Sequence, residues 1–293
     1  VTFKIGSRLG LLKMDFLGLR TLTVIEDCKK LVKKNRGIEV QFDEEMNDPK
    51  VYKLWQEGKS IGIFQFESQG MTNFMKELKP DCLEDIIAGV SLYRPGPMDQ
   101  IPRYIKNKQD PAHSTYTHPS LEPILNVTYG CMVYQEQVMQ IVRDLAGYSL
   151  GRADIVRRAM GKKKLDVMAK EREYFIHGKV DENGNIEIPG CVRNGIDEAS
   201  ANKIFDEMAE FAKYAFNKSH AVIAYRTAYL KTYYPQEFMA AMLNSFLGNL
   251  DKVPLYIDEC KKMGISILKP DINKSDTKFT VDNGKIRFGL RKY

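Results

Sequence analysis

The densest chemistry lies in residues 152–164, "RADIVRRAMGKKK", where Arg152, Arg157, Arg158, Lys162, Lys163 and Lys164 face the single acid Asp154. Guanidinium groups offer forked donors and lysine a mobile point charge, and both suit phosphate. Ala153, Val156 and Met160 recur at helical spacing. On that helix Arg157 and Arg158 stand about 100° apart round the axis and can flank a groove. The plainer reading is a solvated helix on which Asp154 pairs with Arg158 at i,i+4. No glycine-rich phosphate loop accompanies the cluster. Its six cations and one acid make +5, so most of the chain's net +6 can be assigned to this stretch alone.

A second candidate is "LGLLKMDFLGLR", residues 9–20. As a strand it turns Leu12, Met14 and Phe16 to one face and Lys13 and Asp15 to the other. A lone strand carboxylate most often makes an ion pair or caps a turn. The chemical alternative is a magnesium ligand, because Mg2+ takes hard oxygen donors and keeps waters and substrate phosphates in its shell. One carboxylate cannot hold two metals, so phosphoryl transfer would need further acids. Glu26-Asp27 and Asp43-Glu44-Glu45 have no strand-end placement that would supply them.

Other polar groups sit at element junctions. In "FNKSH", Asn217, Lys218, Ser219 and His220 precede an aromatic helix and can cap it or donate to an anion at its N-terminus. His220 has no nucleophile beside it in sequence. Tyr225, Tyr229, Tyr233 and Tyr234 recur at helical spacing, which suits core packing better than base stacking. "SLYRPGPM" is a rigid elbow from which Arg94 can reach a phosphate. "YQEQVM" opens a helix with Gln135 and Glu136; an amide there can read a base edge or simply face solvent.

The elements that must position these groups are mostly helical. Arg20–Arg36 reads as a helix with Val24, Cys28 and Leu31 on one face and Gly37 as its stop. Asp48-Pro49 is a helix start. "SIGIFQFES" reads as extended, "MTNFMKEL" and "CLEDIIAGVSL" as short helices, and residues 105–123 as a surface loop. Helices are expected at about 134–145, at 152–160 with Ser149 as cap, and at 164–175, 197–215, 221–233 and 235–247. "VDENGNIEIPG" and "KFTVDNGKIRFGL" read as hairpins on Asn-Gly or Asn-Gly-like turns. No linker is legible, so one helical body is expected.

Composition sets the outer bounds. The chain has 293 residues, 43% apolar and 28% charged, in the range of a soluble globular protein. No apolar run approaches the ~20 residues of a membrane span and no secretory signal opens the chain, so a cytoplasmic protein without a membrane partner is expected. The five cysteines are scattered, which suits neither zinc nor a disulfide framework and predicts reduced thiols.

Seven stretches in this order, "KMDFLGLRTLT", "GIFQFES", "LYRPGPM", "YGCMVYQEQVMQI", "RRAMGKKK", "FNKSHA" and "YPQEFMAAML", resemble the alpha subunit of bacterial DNA polymerase III, the C-family replicative polymerase. The resemblance runs from about residue 9 to residue 290. It implies a mainly α fold: a large helical fingers domain, residues 20–293, preceded by a short palm strand in residues 1–19, with small β-hairpins. It implies that Asp15 is the third catalytic carboxylate of the palm and a Mg2+ ligand, that Lys13 faces the incoming nucleotide's phosphates, and that Arg157 and Arg158 reach its triphosphate from the fingers. Arg94, Lys162, Lys163, Lys164, Asn217 and Lys218 are then candidate DNA or phosphate contacts. The implied partners are template-primer DNA, a deoxynucleoside triphosphate and other replisome subunits.

The sequence departs from that pattern in three places. The family's P-D-x-D-x-D-F motif, which carries the other two catalytic aspartates, is absent, and "VTFKIGSR" does not match what precedes the strand, so the chain by itself is expected to be inactive. After "FNKSHA" the family usually continues with about four residues similar to "AAYA", whereas here "VIAYRT" follows directly. The chain is also expected to stop before the family's helix-hairpin-helix, clamp-binding and OB elements. The alternative reading is a non-catalytic helical module that binds nucleic acid or nucleotide.

Overall fold

The computed structural model describes residues 18–94, 97–161, 165–211 and 219–290. Among them the chain is mainly α. In order come α1 (Arg20–Arg36), α2 (Pro49–Gln56), α3 (Gln69–Leu78), α4 (Leu83–Leu92), α5 (Ile101–Gln109), α6 (Glu122–Leu125), α7 (Gln135–Ala146), α8 (Leu150–Gly161) and α9 (Leu165–His177). Strands β1 (Lys179–Val180) and β2 (Ile186–Ile188) precede α10 (Glu198–Phe211), α11 (Ser219–Tyr233), α12 (Pro235–Ser245) and α13 (Lys252–Lys262). The last strands are β3 (Ile267–Leu268), β4 (Thr280–Asp282) and β5 (Lys285–Arg287). No described helix is long and apolar enough to cross a membrane. All five cysteines are free.

Local signals fix many boundaries. Asp48 caps α2 by accepting from Lys50 N at 2.8 Å, with Pro49 at the first position. Gly37 ends α1 and Gly147 ends α7, both in the left-handed region at φ 68° and 79°. Asn283 and Gly284, at φ 49° and 74°, turn β4 into β5 with both central residues left-handed, as the tightest hairpins require.

Three expectations fail for identifiable reasons. Residues 60–67 are not extended but wind through successive turns: Ser60 O accepts from Ile63 N and Ile63 O from Phe66 N, both at 3.0 Å, while Glu67 Oε1 takes Gly62 N at 2.9 Å. The expected loop at 105–123 begins inside α5, whose Pro102 occupies a first-turn position where no backbone donor is required. α13 was not expected at all, and its Pro254 likewise sits in the first turn. β3 joins β5 in parallel, a pairing across about 20 residues that no hairpin signal announces.

The chain divides into two compact units rather than one body: residues 1–41 with 229–293, and residues 42–228. The first unit is made of two stretches distant in sequence, which is why no linker is legible. In it α1 lays Val24, Ile25, Cys28 and Val32 against α12, so the buried face includes Val32 while Leu31 is only half-buried. Arg36 seals that contact on Glu237 at 2.7 Å. Asn244 holds the edge of the small sheet, donating to Phe279 O at 2.9 Å and accepting from Phe279 N at 2.8 Å.

The second unit has its core between α7, α8, α9 and α10, filled by Val138, Ile141, Val142, Val156, Phe175 and Phe205 among others. The β1–β2 hairpin is tied back to α9 by Cys191 N on Phe175 O at 2.8 Å and Val192 N on Ile176 O at 3.0 Å. Gly190 makes this possible: at φ 80°, a Cβ there would stand 2.3 Å from Gly178 N.

Candidate functional site

α8 positions the arginine pair. Ser149 Oγ accepts from Arg152 N at 3.4 Å at its start. Ala153, Val156 and Met160 are buried against the core, which leaves Arg157 on the flank and Arg158 outward. Arg157 closes on Asp154 Oδ1 through Nε at 3.0 Å and Nη2 at 2.6 Å, and its Nη1 donates to Gln135 Oε1 at 2.6 Å. Arg158 Nη2 lies 2.8 Å from Asp154 Oδ2. The i,i+4 pair of the plainer reading therefore exists, and Asp154 serves both arginines. The hydrogen bond from Arg157 holds its carboxyl below the usual aspartate range against a smaller burial effect, with Arg158 adding to the fall.

Two guanidinium groups against one carboxylate leave the cluster one positive charge in excess. Arg158, with 58% of its side chain exposed, presents its remaining donors to solvent. Such a fork can take a polyphosphate by exchanging Asp154 for phosphate oxygens. Arg152 does not belong to this site. It bridges Glu171 at 2.9 Å and Glu187 at 3.2 Å beneath the rings of Tyr148 and Tyr174.

Gln135 reads no base in this structure; it orients Arg157. The residue that positions it, Gln137, went unnoticed in the sequence. Its buried amide accepts from Val133 N and Tyr134 N, both at 2.9 Å, and donates to Thr128 Oγ1 at 2.8 Å and Ile124 O at 3.3 Å. All its polar atoms are thus used to fix the entry into α7. A signal was present: glutamine three residues after the helix cap is the reciprocal partner of a capping box.

The other candidates fall in several places. Arg94 follows the last turn of α4, half-buried, and burial lowers its guanidinium pKa. Its backbone carbonyl accepts from Met98 N at 3.1 Å, which continues the elbow into the next turn of helix. Lys13, Asp15, Lys162, Lys163, Lys164, Asn217 and Lys218 lie outside the described residues. His220 stacks on Phe64 at 5.9 Å between ring centroids. Tyr225 is core: its hydroxyl donates to Asp43 Oδ2 at 3.1 Å and accepts from Asp48 N at 3.0 Å, and its ring packs on Tyr52. Tyr229 and Tyr233 are half-buried, with ring centroids 4.8 Å apart.

Among the described residues Asp81, Cys82 and Asp85 bring three ligand-type atoms within 4.8 Å. The Lys108 ammonium already bonds both carboxylates, at 3.1 Å from Asp81 and in contact with buried Asp85. That cluster ties α4 to α5 and gives no reason to place a metal there.

Comparison with known proteins bears on the same residues. A family profile described as the bacterial DNA polymerase III alpha subunit finger domain matches residues 21–183, which include Arg94, Gln135, Asp154, Arg157 and Arg158. A helix-hairpin-helix motif profile matches residues 264–292, where the described residues form β3, β4 and β5. Proteins named DNA polymerase III subunit alpha are similar to nearly the whole chain. The one from Thermus aquaticus is 48% identical over 292 residues, 96% of this chain and 23% of that protein. Those from Treponema pallidum and Bacillus subtilis are 48% and 45% identical, over 96% and 97% of this chain and 24% and 25% of theirs. The chain thus spans about a quarter of the length of these relatives.

Proposed function

This chain belongs to the bacterial DNA polymerase III alpha subunit finger-domain family, and from that premise we propose that it is the fingers and palm-edge portion of a replicative DNA-directed DNA polymerase. It binds the triphosphate of an incoming deoxynucleotide and the template-primer, and works with the other replisome subunits. The observation that carries the reading is the arginine pair of α8, oriented by Gln135 and neutralised by one shared carboxylate.

Nucleotidyl transfer needs cations where pyrophosphate leaves, because charge builds on the β- and γ-phosphates. Arg158 meets the polyanion first. Arg157, held by Gln135 and Asp154, follows by exchanging the carboxylate for a phosphate oxygen while the amide keeps its plane. The fixed geometry spares the reorganisation that solvated cations would require. Lys13 would add a point charge to the same phosphates. Asp15 would hold one Mg2+, and two such ions bound at the site stabilise the attacking and leaving oxygens. A hard carboxylate oxygen suits that ion. This chain shows no second pair of carboxylates in the P-D-x-D-x-D-F arrangement, so the 293 residues alone extend no primer.

The test is made in a whole alpha subunit containing this chain. Asp15→Asn should abolish primer extension in Mg2+ while binding of template-primer persists. Near-normal extension would remove Asp15 from the catalytic set.

A further inference from the structure

Charge separates by unit in a way that the linear sequence conceals. Residues 1–41 and 229–293 hold 20 Lys and Arg against 11 Asp and Glu, a net +9. Residues 42–228 hold 24 against 27, a net −3. The stretch 152–164, which seemed able to account for the chain's whole excess, is thus embedded in a mildly acidic unit. The long-range attraction for polyanions belongs to the other one.

Within the basic unit the charge concentrates on α1. Val24, Ile25, Cys28 and Val32 take the buried side, which leaves Lys29, Lys30 and Lys33 along a stripe turned away from α12. That stripe and residues 39–41 line a surface groove of about 430 Å³. Lys30 pairs with Glu26 at 3.8 Å and Lys33 with Glu39, but the two lysine side chains are 68% and 67% exposed. Surface pairs of this kind contribute little and are readily exchanged for another anion. Lys33, Lys34 and Arg36 lie in the last turn, where they offset the helix dipole. Lys29 and Lys30 lie further from that end and have no such duty. Positive charge continues past the helix: Asp276, held down first by the backbone N–H of Thr277, also feels Lys34, and Asp282 feels Lys274 after its bond to Arg287.

We propose that the lysine stripe of α1 is a docking surface for the sugar–phosphate backbone of duplex nucleic acid, held by charge and indifferent to sequence. The groove has no aromatic side chain on which unpaired bases could stack. An acidic peptide would need an apolar anchor, and Val40, the one apolar residue of the lining, is itself buried at 6% exposure. The surface lies in the other unit from Arg157 and Arg158, so its failure would leave the triphosphate site untouched.

The probe is a short DNA duplex in two unrelated sequences, titrated with the full chain across a range of salt. Lys29→Gln combined with Lys30→Gln should weaken both duplexes equally, by roughly tenfold or more near 0.1 M salt, and flatten the slope of log affinity against log salt by about 2. Glu26→Gln combined with Glu39→Gln should tighten binding, which a folding defect cannot mimic. An unchanged slope in the lysine variant, or a loss confined to one sequence, overturns the proposal. So does displacement of the duplex by poly-glutamate more readily than by unlabelled duplex at equal charge, which would assign the stripe to an acidic polypeptide.

Discussion

Arg157 reaches back 22 residues to Gln135, donating Nη1 to its Oε1 at 2.6 Å, while the other face of the same guanidinium closes on Asp154. The first residue of α7 thereby sets the plane of a cation on α8. Asp154 is both the clamp on that cation and the competitor of any anion that would use it.

The competition has a sign. Asp154→Asn removes the shared counter-charge, so the affinity of the chain for a deoxynucleoside triphosphate should rise severalfold in a calorimetric titration. Gln135→Leu should lower it severalfold, because Arg157 loses the partner that fixes its fork. A fall in both variants would show that Asp154 acts by orienting the arginines and not by competing with the ligand.

Asp43 gives a pH dependence. Burial pulls its carboxyl up, but bonds from Asn47 N at 2.9 Å, the Tyr225 hydroxyl at 3.1 Å and Glu45 N at 3.1 Å bring it below the ordinary range. A depressed folded-state value stabilises the fold above the unfolded pKa of about 3.9 and ceases to do so as pH falls through the folded value. Asp43→Asn should therefore lower the melting temperature by roughly 2–4 °C at pH 7, with the gap closing below about pH 3. A gap that persists in acid would assign the loss to packing.

The ion pair of Lys231 and Glu259, 2.7 Å apart with side chains 1% and 9% exposed, is buried within the first unit. Glu259→Leu alone leaves Lys231 buried without its carboxylate and should cost about 3–5 kcal/mol in denaturant unfolding. Lys231→Met combined with Glu259→Leu should recover much of that loss. Equal losses in the single and double variants would mean that the charges themselves contribute net stability.

What the sequence showed and what it hid follow from range. Asp48-Pro49, Gly37, Gly147 and Asn283-Gly284 act within a turn, so the boundaries they set were legible. Pro102 and Pro254 misled because a proline in a first helical turn starts a helix as readily as a proline elsewhere ends one. The parallel pairing of β3 with β5, and the unit assembled from both ends of the chain, depend on contacts between distant residues. At the site, the arginine pair and the Asp154–Arg158 bridge were visible as i,i+4 spacing. The link to Gln135 was not, since it crosses from one helix to the next through the buried amide of Gln137.

The central claim, that Arg157 and Arg158 hold a nucleotide's triphosphate, is met most directly by titrating the full chain with a deoxynucleoside triphosphate, before and after Arg157→Ala is combined with Arg158→Ala. The account predicts weak binding that the double replacement abolishes, with the melting temperature little changed because both side chains flank the core and do not fill it. Binding of equal strength in the double variant would contradict it.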